Sequence, residues 1–148
     1  MSLNALPGHL ARRFHQISTT LFDAEMRKSG IDLTPVQYAA LVGVRDNPCI
    51  DQATLAAIIA YDRTTMGGVV DRLVEKGFLT RTVSPTDRRA RVLTVNETGL
   101  AIIRDAEPVV MRAQKELVRV LDRQETEQLV QLLEKVVDAL GTVTRTSR

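Results

Sequence analysis

Residues 62–95 constrain the fold most tightly. They read as a short amphipathic helix, a glycine stop and two strands joined by a basic turn. Asp62 stands at a helix N-cap, where a carboxylate accepts from the free amides of the first turn. Met66, Val69, Val70, Leu73 and Val74 recur at helical spacing and predict one buried face. Thr64, Gly67, Gly68, Asp71, Arg72 and Glu75 fall on the opposite face. Gly77 follows Lys76 where a left-handed C-cap closes a helix. Residues 80–83 and 91–95 are β-branched and alternating, as strands are. Between them Ser84-Pro85-Thr86-Asp87 is turn chemistry, which puts Arg88 and Arg89 at a hairpin tip. A helix followed at once by such a hairpin suits major-groove entry with a minor-groove reach beside it.

The flanking segments predict helices. Leu3, Leu6, Leu10, Phe14, Ile17 and Leu21 form a long apolar stripe on a helix running from about Pro7 to about Lys28 and ended by Gly30. Thr34-Pro35-Val36-Gln37 is a capping-box start for the next. Asp51 opens a short helix with Leu55, Ala56, Ile58 and Ile59 inward, and a tight turn at Tyr61-Asp62 leads into the helix above. Two short helices so joined, the second with a polar outer face, are a helix-turn-helix pattern. Asn96 can cap a long helix in which Ile103, Ala106, Val110, Ala113, Leu117 and Val120 make a heptad seam, with Pro108 expected to kink it or perturb its first turns. Asp122 and Glu125 form a second capping box before a last helix striped by Leu129, Leu132, Leu133, Val136, Val137 and Leu140, and the polar end from Gly141 onward is expected to fray. The expected fold is mainly α with a small β-hairpin wing. In it, residues 31–95 form a winged helix-turn-helix DNA-binding domain, and residues 1–30 and 96–148 form a helical dimerisation region.

Net charge is only +2 over 148 residues, but it is unevenly placed. Residues 60–91 hold seven basic and four acidic side chains, whereas residues 92–140 hold six basic and nine acidic. A polyanion facing one part of the molecule fits that asymmetry. Aromatic residues are 3%, so the core must be aliphatic. No apolar run approaches the roughly 20 residues that cross a bilayer, and the N-terminus has no secretory pattern. The expectation is a cytoplasmic location without membrane contact. Cys49 is the single cysteine, which leaves no intrachain disulfide or cysteine-built zinc site.

The chain resembles the MarR family of winged-helix transcription regulators along nearly its whole length. Leu33-Thr34-Pro35-Val36-Gln37-Tyr38, the Leu55-Ala56 helix, Val70-Asp71-Arg72-Leu73 running into Lys76-Gly77-Phe78-Leu79, and Asp87-Arg88-Arg89-Ala90 before Leu93-Thr94 carry the likeness. The resemblance implies an obligate homodimer, a recognition helix in the major groove, and a minor-groove arginine that would be Arg89, with Asp87 orienting the wing. It also implies a small-molecule or redox signal that resets the spacing of two DNA-binding lobes. Two departures stand out. Gly67-Gly68 occupies the middle of the recognition helix, where many relatives carry a polar pair, often threonine and arginine. Cys49 lies in a loop beside Pro48, whereas the family's thiol sensors place theirs in the first helix, so Cys49 reads as a passive small residue.

The expected function is a dimeric repressor of transcription that binds a pseudo-palindromic duplex operator. Arg63, Thr64, Thr65, Gly68 and Arg72 would face DNA from the helix, and Arg81, Asp87, Arg88, Arg89 and Arg91 from the wing. Each arginine has a plainer reading as a solvated charge, and Arg72 has Glu75 as an alternative partner. His9, Arg12, Arg13 and His15 crowd the polar side of the first helix. They are a hydrated face, partners for salt bridges to the acidic last helices or, with Tyr38 adding a ring, a site for a small aromatic or carboxylate effector. His9 and His15 are six apart and miss the i, i+4 spacing of a helical metal pair. No metal, cofactor or enzymatic activity is expected. The rival reading is a helical protein–protein interaction module whose basic hairpin binds an acidic partner.

Overall fold

The computed structural model describes residues 1–141. After a 3₁₀ turn at Leu3–Ala5, the elements are α1 (Pro7–Lys28), α2 (Pro35–Asp46), β1 (Ile50–Asp51), α3 (Gln52–Ile58), α4 (Arg63–Glu75), β2 (Leu79–Val83), β3 (Arg91–Val95), α5 (Glu97–Leu117) and α6 (Arg123–Leu140). They divide into two compact units, Met1–Gln114 and the chain from Lys115 onward. Among the described residues no helix is long and apolar enough to cross a membrane. The expected frayed tail at residues 142–148 lies outside the described residues.

Local chemistry sets most helix starts. In α2 the Thr34 hydroxyl accepts from the Gln37 amide, and the Gln37 side chain accepts from the Thr34 amide, each at 3.2 Å. Asp51 and Asp62 each accept from an amide three residues on, Thr54 and Thr65, at 2.8 Å. Asn96 accepts from the Gly99 amide at 2.9 Å and donates to the Gly77 carbonyl at 2.7 Å, joining the cap of α5 to the end of α4. Gly77 has φ 78°, the left-handed conformation that glycine adopts at no steric cost. α5 remains helical through Pro108. It ends at Leu117, so Val120, the last residue of the expected heptad seam, lies beyond the helix.

In the first unit one core joins α1 to α5. Leu41, Val44, Leu55, Met66, Val70, Leu73, Leu93 and Ile103 are its largest fully buried side chains. α1 contributes Phe22 and Met26, not the expected stripe: Leu3, Leu10 and Ile17 stay exposed. The antiparallel sheet runs β1-β3-β2, with Ile50 opposite Leu93 and Leu79 opposite Val95. β1 is an element that the sequence reading lacks. Arg112 ties α5 to α1, donating to Glu25 at 3.3 Å and to the Ser29 hydroxyl at 3.2 Å. Hydrogen bonds from Lys28 and then Arg112 lower the pKa of the Glu25 carboxyl. In the second unit α6 starts at the Asp122–Glu125 capping box and contains no buried residue.

Candidate nucleic-acid interface

The α3–α4 pair is closed by a turn in which Ala60 takes φ 58° and the Tyr61 amide donates to the Ala56 carbonyl at 2.9 Å. The turn commits Met66, Val69, Val70 and Leu73 to the core. Helical period then leaves Arg63, Thr64, Thr65, Gly68 and Arg72 exposed on the other side. Thr64, Gly68 and Arg72 follow one another at four-residue steps, so they stand in one row.

The hairpin between β2 and β3 is held by its own side chains. The Ser84 hydroxyl accepts from the Thr86 and Asp87 amides, each at 3.3 Å. Asp87 accepts from the Arg89 amide at 2.9 Å. The Ser84 amide donates to the Ala90 carbonyl at 3.0 Å and closes the loop. Those bonds hold the backbone of the tip in shape, and the Arg88 and Arg89 side chains are exposed to solvent. Among the described residues Arg63, Arg72, Arg88, Arg89 and Arg91 pair with no carboxylate. Arg81 differs, because it binds the Asp71 carboxylate at 2.5 Å and so fastens β2 to α4.

A link absent from the sequence reading holds the other end of α4. Lys76 donates to the Asp32 carbonyl at 2.6 Å and to the Gln37 side chain at 3.2 Å. Gln37 is the one polar residue among the described residues that is buried. The same amide oxygen therefore serves the cap of α2 and the C-terminus of α4. The Lys76 partners lie 44 and 39 residues away in sequence, so the capping box foretold the Gln37 conformation but not its second donor.

The residues expected to hold an effector are not gathered in one chain. Arg12, Arg13 and His15 are exposed and His9 half-buried on the first half of α1. Tyr38 packs on Phe22, with ring centroids 6.3 Å apart. At 1.5 Å rise per residue, Phe22 lies about 10 Å along α1 from His15 and about 20 Å from His9. Burial, with a smaller contribution from Glu107, raises the pKa of the Tyr38 phenol above its ordinary value. A surface cavity of about 400 Å³ is lined by Asp23, Met26, Arg27 and the segment at residues 30–34, and by none of the five.

A helix-turn-helix with an exposed second helix and an arginine-tipped hairpin beside it is the frame of a winged-helix DNA reader. Comparison with known proteins makes that class specific. Residues 33–90 match the model of the MarR family. The chain is 28% identical to the HTH-type transcriptional repressor NicR of Pseudomonas putida over 89% of its own length and 82% of that protein's. The PcaV transcriptional regulator of Streptomyces coelicolor, solved in complex with its natural ligand, superposes with a TM-score of 0.84 at 30% identity, covering 94% of this chain and 96% of that one. A structure addressing regulation of DNA binding of Bordetella bronchiseptica BpsR by 6-hydroxynicotinic acid gives a TM-score of 0.86 at 27% identity, covering 93% and 97%. This chain belongs to the MarR family. It is a DNA-binding regulator of transcription.

Proposed function

We propose that the protein is a homodimeric repressor that binds a pseudo-palindromic duplex operator and leaves it when a small aromatic carboxylate binds. The observation that carries the reading is the wing tip. Asp87 spends its hydrogen bond on the Arg89 backbone, so two arginines without carboxylate partners are presented beside the exposed row of α4. In this reading Arg89 enters the minor groove, while Thr64, Thr65, Gly68 and Arg72 meet base edges. Arg63, Arg88 and Arg91 neutralise phosphate, which makes binding salt-dependent. Asp87 orients the wing. Arg81, already held by Asp71, positions β2 and adds positive charge at its edge.

The partition by role is residues 31–95 for DNA and residues 1–30 and 96–148 for pairing two copies. The exposed apolar side chains of α1 and α6 support it. Effector release is supported by 6-hydroxynicotinic acid as the regulator of BpsR. Arg12 and Arg13 supply the positive charge such an anion needs, and His9 and His15 add ring nitrogens that can hydrogen-bond it. Because Tyr38 stands apart from them on one chain, two copies assemble the site. The protein acts by binding, without catalysis of its own.

Fluorescence anisotropy on a duplex enriched from a random library by the wild-type protein tests the reading. Arg89→Ala should weaken binding by about 1–3 kcal/mol while the sedimentation coefficient of the free protein stays unchanged. Added 6-hydroxynicotinic acid should release the wild-type complex. Undiminished binding by Arg89→Ala would remove the wing from the interface, and duplex retained at saturating acid would exclude that effector.

A further inference from the structure

Two adjacent glycines stand in the middle of α4, and each weakens a helix relative to alanine. They have different explanations. Gly67 is half-buried, and a Cβ there would stand 3.3 Å from the side-chain nitrogen of Gln52 in α3. The contact there is tight enough that the Gln52 side chain would have to give by a few tenths of an ångström to admit a methyl group. Gly68 is exposed, and a Cβ there would meet nothing within 4 Å. It is also absent from the glycines with positive φ. Neither backbone conformation nor any neighbouring atom of the described residues calls for glycine at position 68.

Its surroundings suggest what does. Thr64 and Arg72 lie one turn to either side and Thr65 three residues before, all exposed. Gly68 is therefore a bare strip of backbone at the centre of the row assigned to DNA. A helix about 10–12 Å in diameter enters a major groove about 12 Å wide with little to spare. At such a fit, one methyl group at the innermost position holds the whole helix away from the base edges. We infer that Gly68 is the point of closest approach between α4 and the floor of the major groove, an inference that rests on the DNA-facing reading of α4. The base step beneath it is then discriminated by steric fit against bare backbone. Thr64, Thr65 and Arg72 reach the steps on either side only because the helix can settle so deeply.

Gly68→Ala separates the two possible roles, because helix propensity and groove fit push in opposite directions. The measurements are thermal unfolding of the DNA-free protein and anisotropy on the library-enriched duplex, with Arg89→Ala run in parallel. The expected result is a melting temperature raised by about 2–4 °C with affinity lowered at least about tenfold. The salt dependence should stay as in wild type, since no phosphate contact is removed. Gly68→Ser, which is larger, should lose at least as much affinity.

Gly68→Ala or Gly68→Ser binding within about twofold of wild type, while Arg89→Ala still loses its about fivefold or more, would overturn the inference and leave the wing reading standing. A lowered melting temperature for Gly68→Ala would also overturn it, because the glycine would then serve the protein's own packing. Wild-type binding by all three variants would show that the DNA-facing reading itself is wrong, and the inference falls with it.

Discussion

At Gly99 the first turn of α5 runs against the backbone of the segment that follows α4. A Cβ there would collide with the Phe78 carbonyl and come within 2.6 Å of a Val95 methyl. A carbonyl fixed by the chain cannot rotate aside as a side chain can. The Gly99 amide is also committed to the Asn96 cap, which in turn holds the Gly77 carbonyl. Gly99→Ala should therefore destabilise by about 3 kcal/mol, the upper end of the cost of overpacking a filled site, and urea unfolding checks it. The sign is opposite to that expected at Gly68, although both residues are helical glycines. The sequence does not separate them, since what surrounds a missing Cβ is set by segments far away in the chain. The arginines divide in the same way. Arg81 and Arg91 look alike as strand-surface charges, yet Arg81 reaches Asp71 across to α4 and Arg91 meets no carboxylate among the described residues.

Helices α2, α3, α4, α5 and α6 begin where Thr34, Asp51, Asp62, Asn96 and Asp122 foretell, because each cap is a bond spanning three residues. Asp51 makes a measurable case. The Thr54 hydroxyl donates to its carboxylate at 2.6 Å and the Thr54 amide at 2.8 Å, and these bonds lower its pKa. A carboxyl whose folded pKa is lowered stabilises the fold above its unfolded pKa, and the contribution disappears as pH falls through the lower, folded value. Asp51→Ala should cost about 1 kcal/mol at neutral pH. The difference between the variant and wild type should close as pH falls through the ordinary carboxyl range and below it. Asp51→Asn, whose amide oxygen still caps, should keep most of the stability at neutral pH and lose less of it in acid. Melting temperature against pH for the three proteins is the check. A pH-independent gap between Asp51→Ala and wild type would mean that the carboxylate charge contributes nothing. Elements set by distant partners were less legible. β1 is two residues long and exists by pairing with β3, Ile50 opposite Leu93, and neither length nor alternation marks it in the sequence. In α5 the heptad rule extends the seam to Val120, but the core takes Val109, and the helix stops at Leu117. α1 likewise turns Phe22 and Met26 inward and leaves half of its regular stripe outside.

For the molecule as a whole, those outside stripes are the strongest argument for a second copy. A helix owes most of its stability in a protein to the burial of one amphipathic face, and α6 buries no residue. Leu132, Leu133, Val136, Val137 and Leu140 are all exposed, as are Leu10 and Ile17 on α1. Their recurrence at three- and four-residue steps makes them continuous stripes, unlike the scattered apolar residues normal on a surface. A partner carrying the same stripes satisfies both copies at once, as two-fold pairing does. Under the proposed function such a pairing would also have a use, because two linked readers hold both half-sites of a palindrome far more tightly than one reader holds either. Charges placed on the stripe should undo both effects together. Leu133→Glu combined with Val137→Glu is expected to convert the protein to monomer at micromolar concentration in sedimentation velocity. It should also weaken binding to a two-half-site duplex by about 100-fold or more, while a single half-site is bound as weakly as by wild type. Should the double variant remain dimeric with unchanged affinity, α6 would have no part in pairing. A monomer that still bound the full site like wild type would instead show that one chain reads the operator alone.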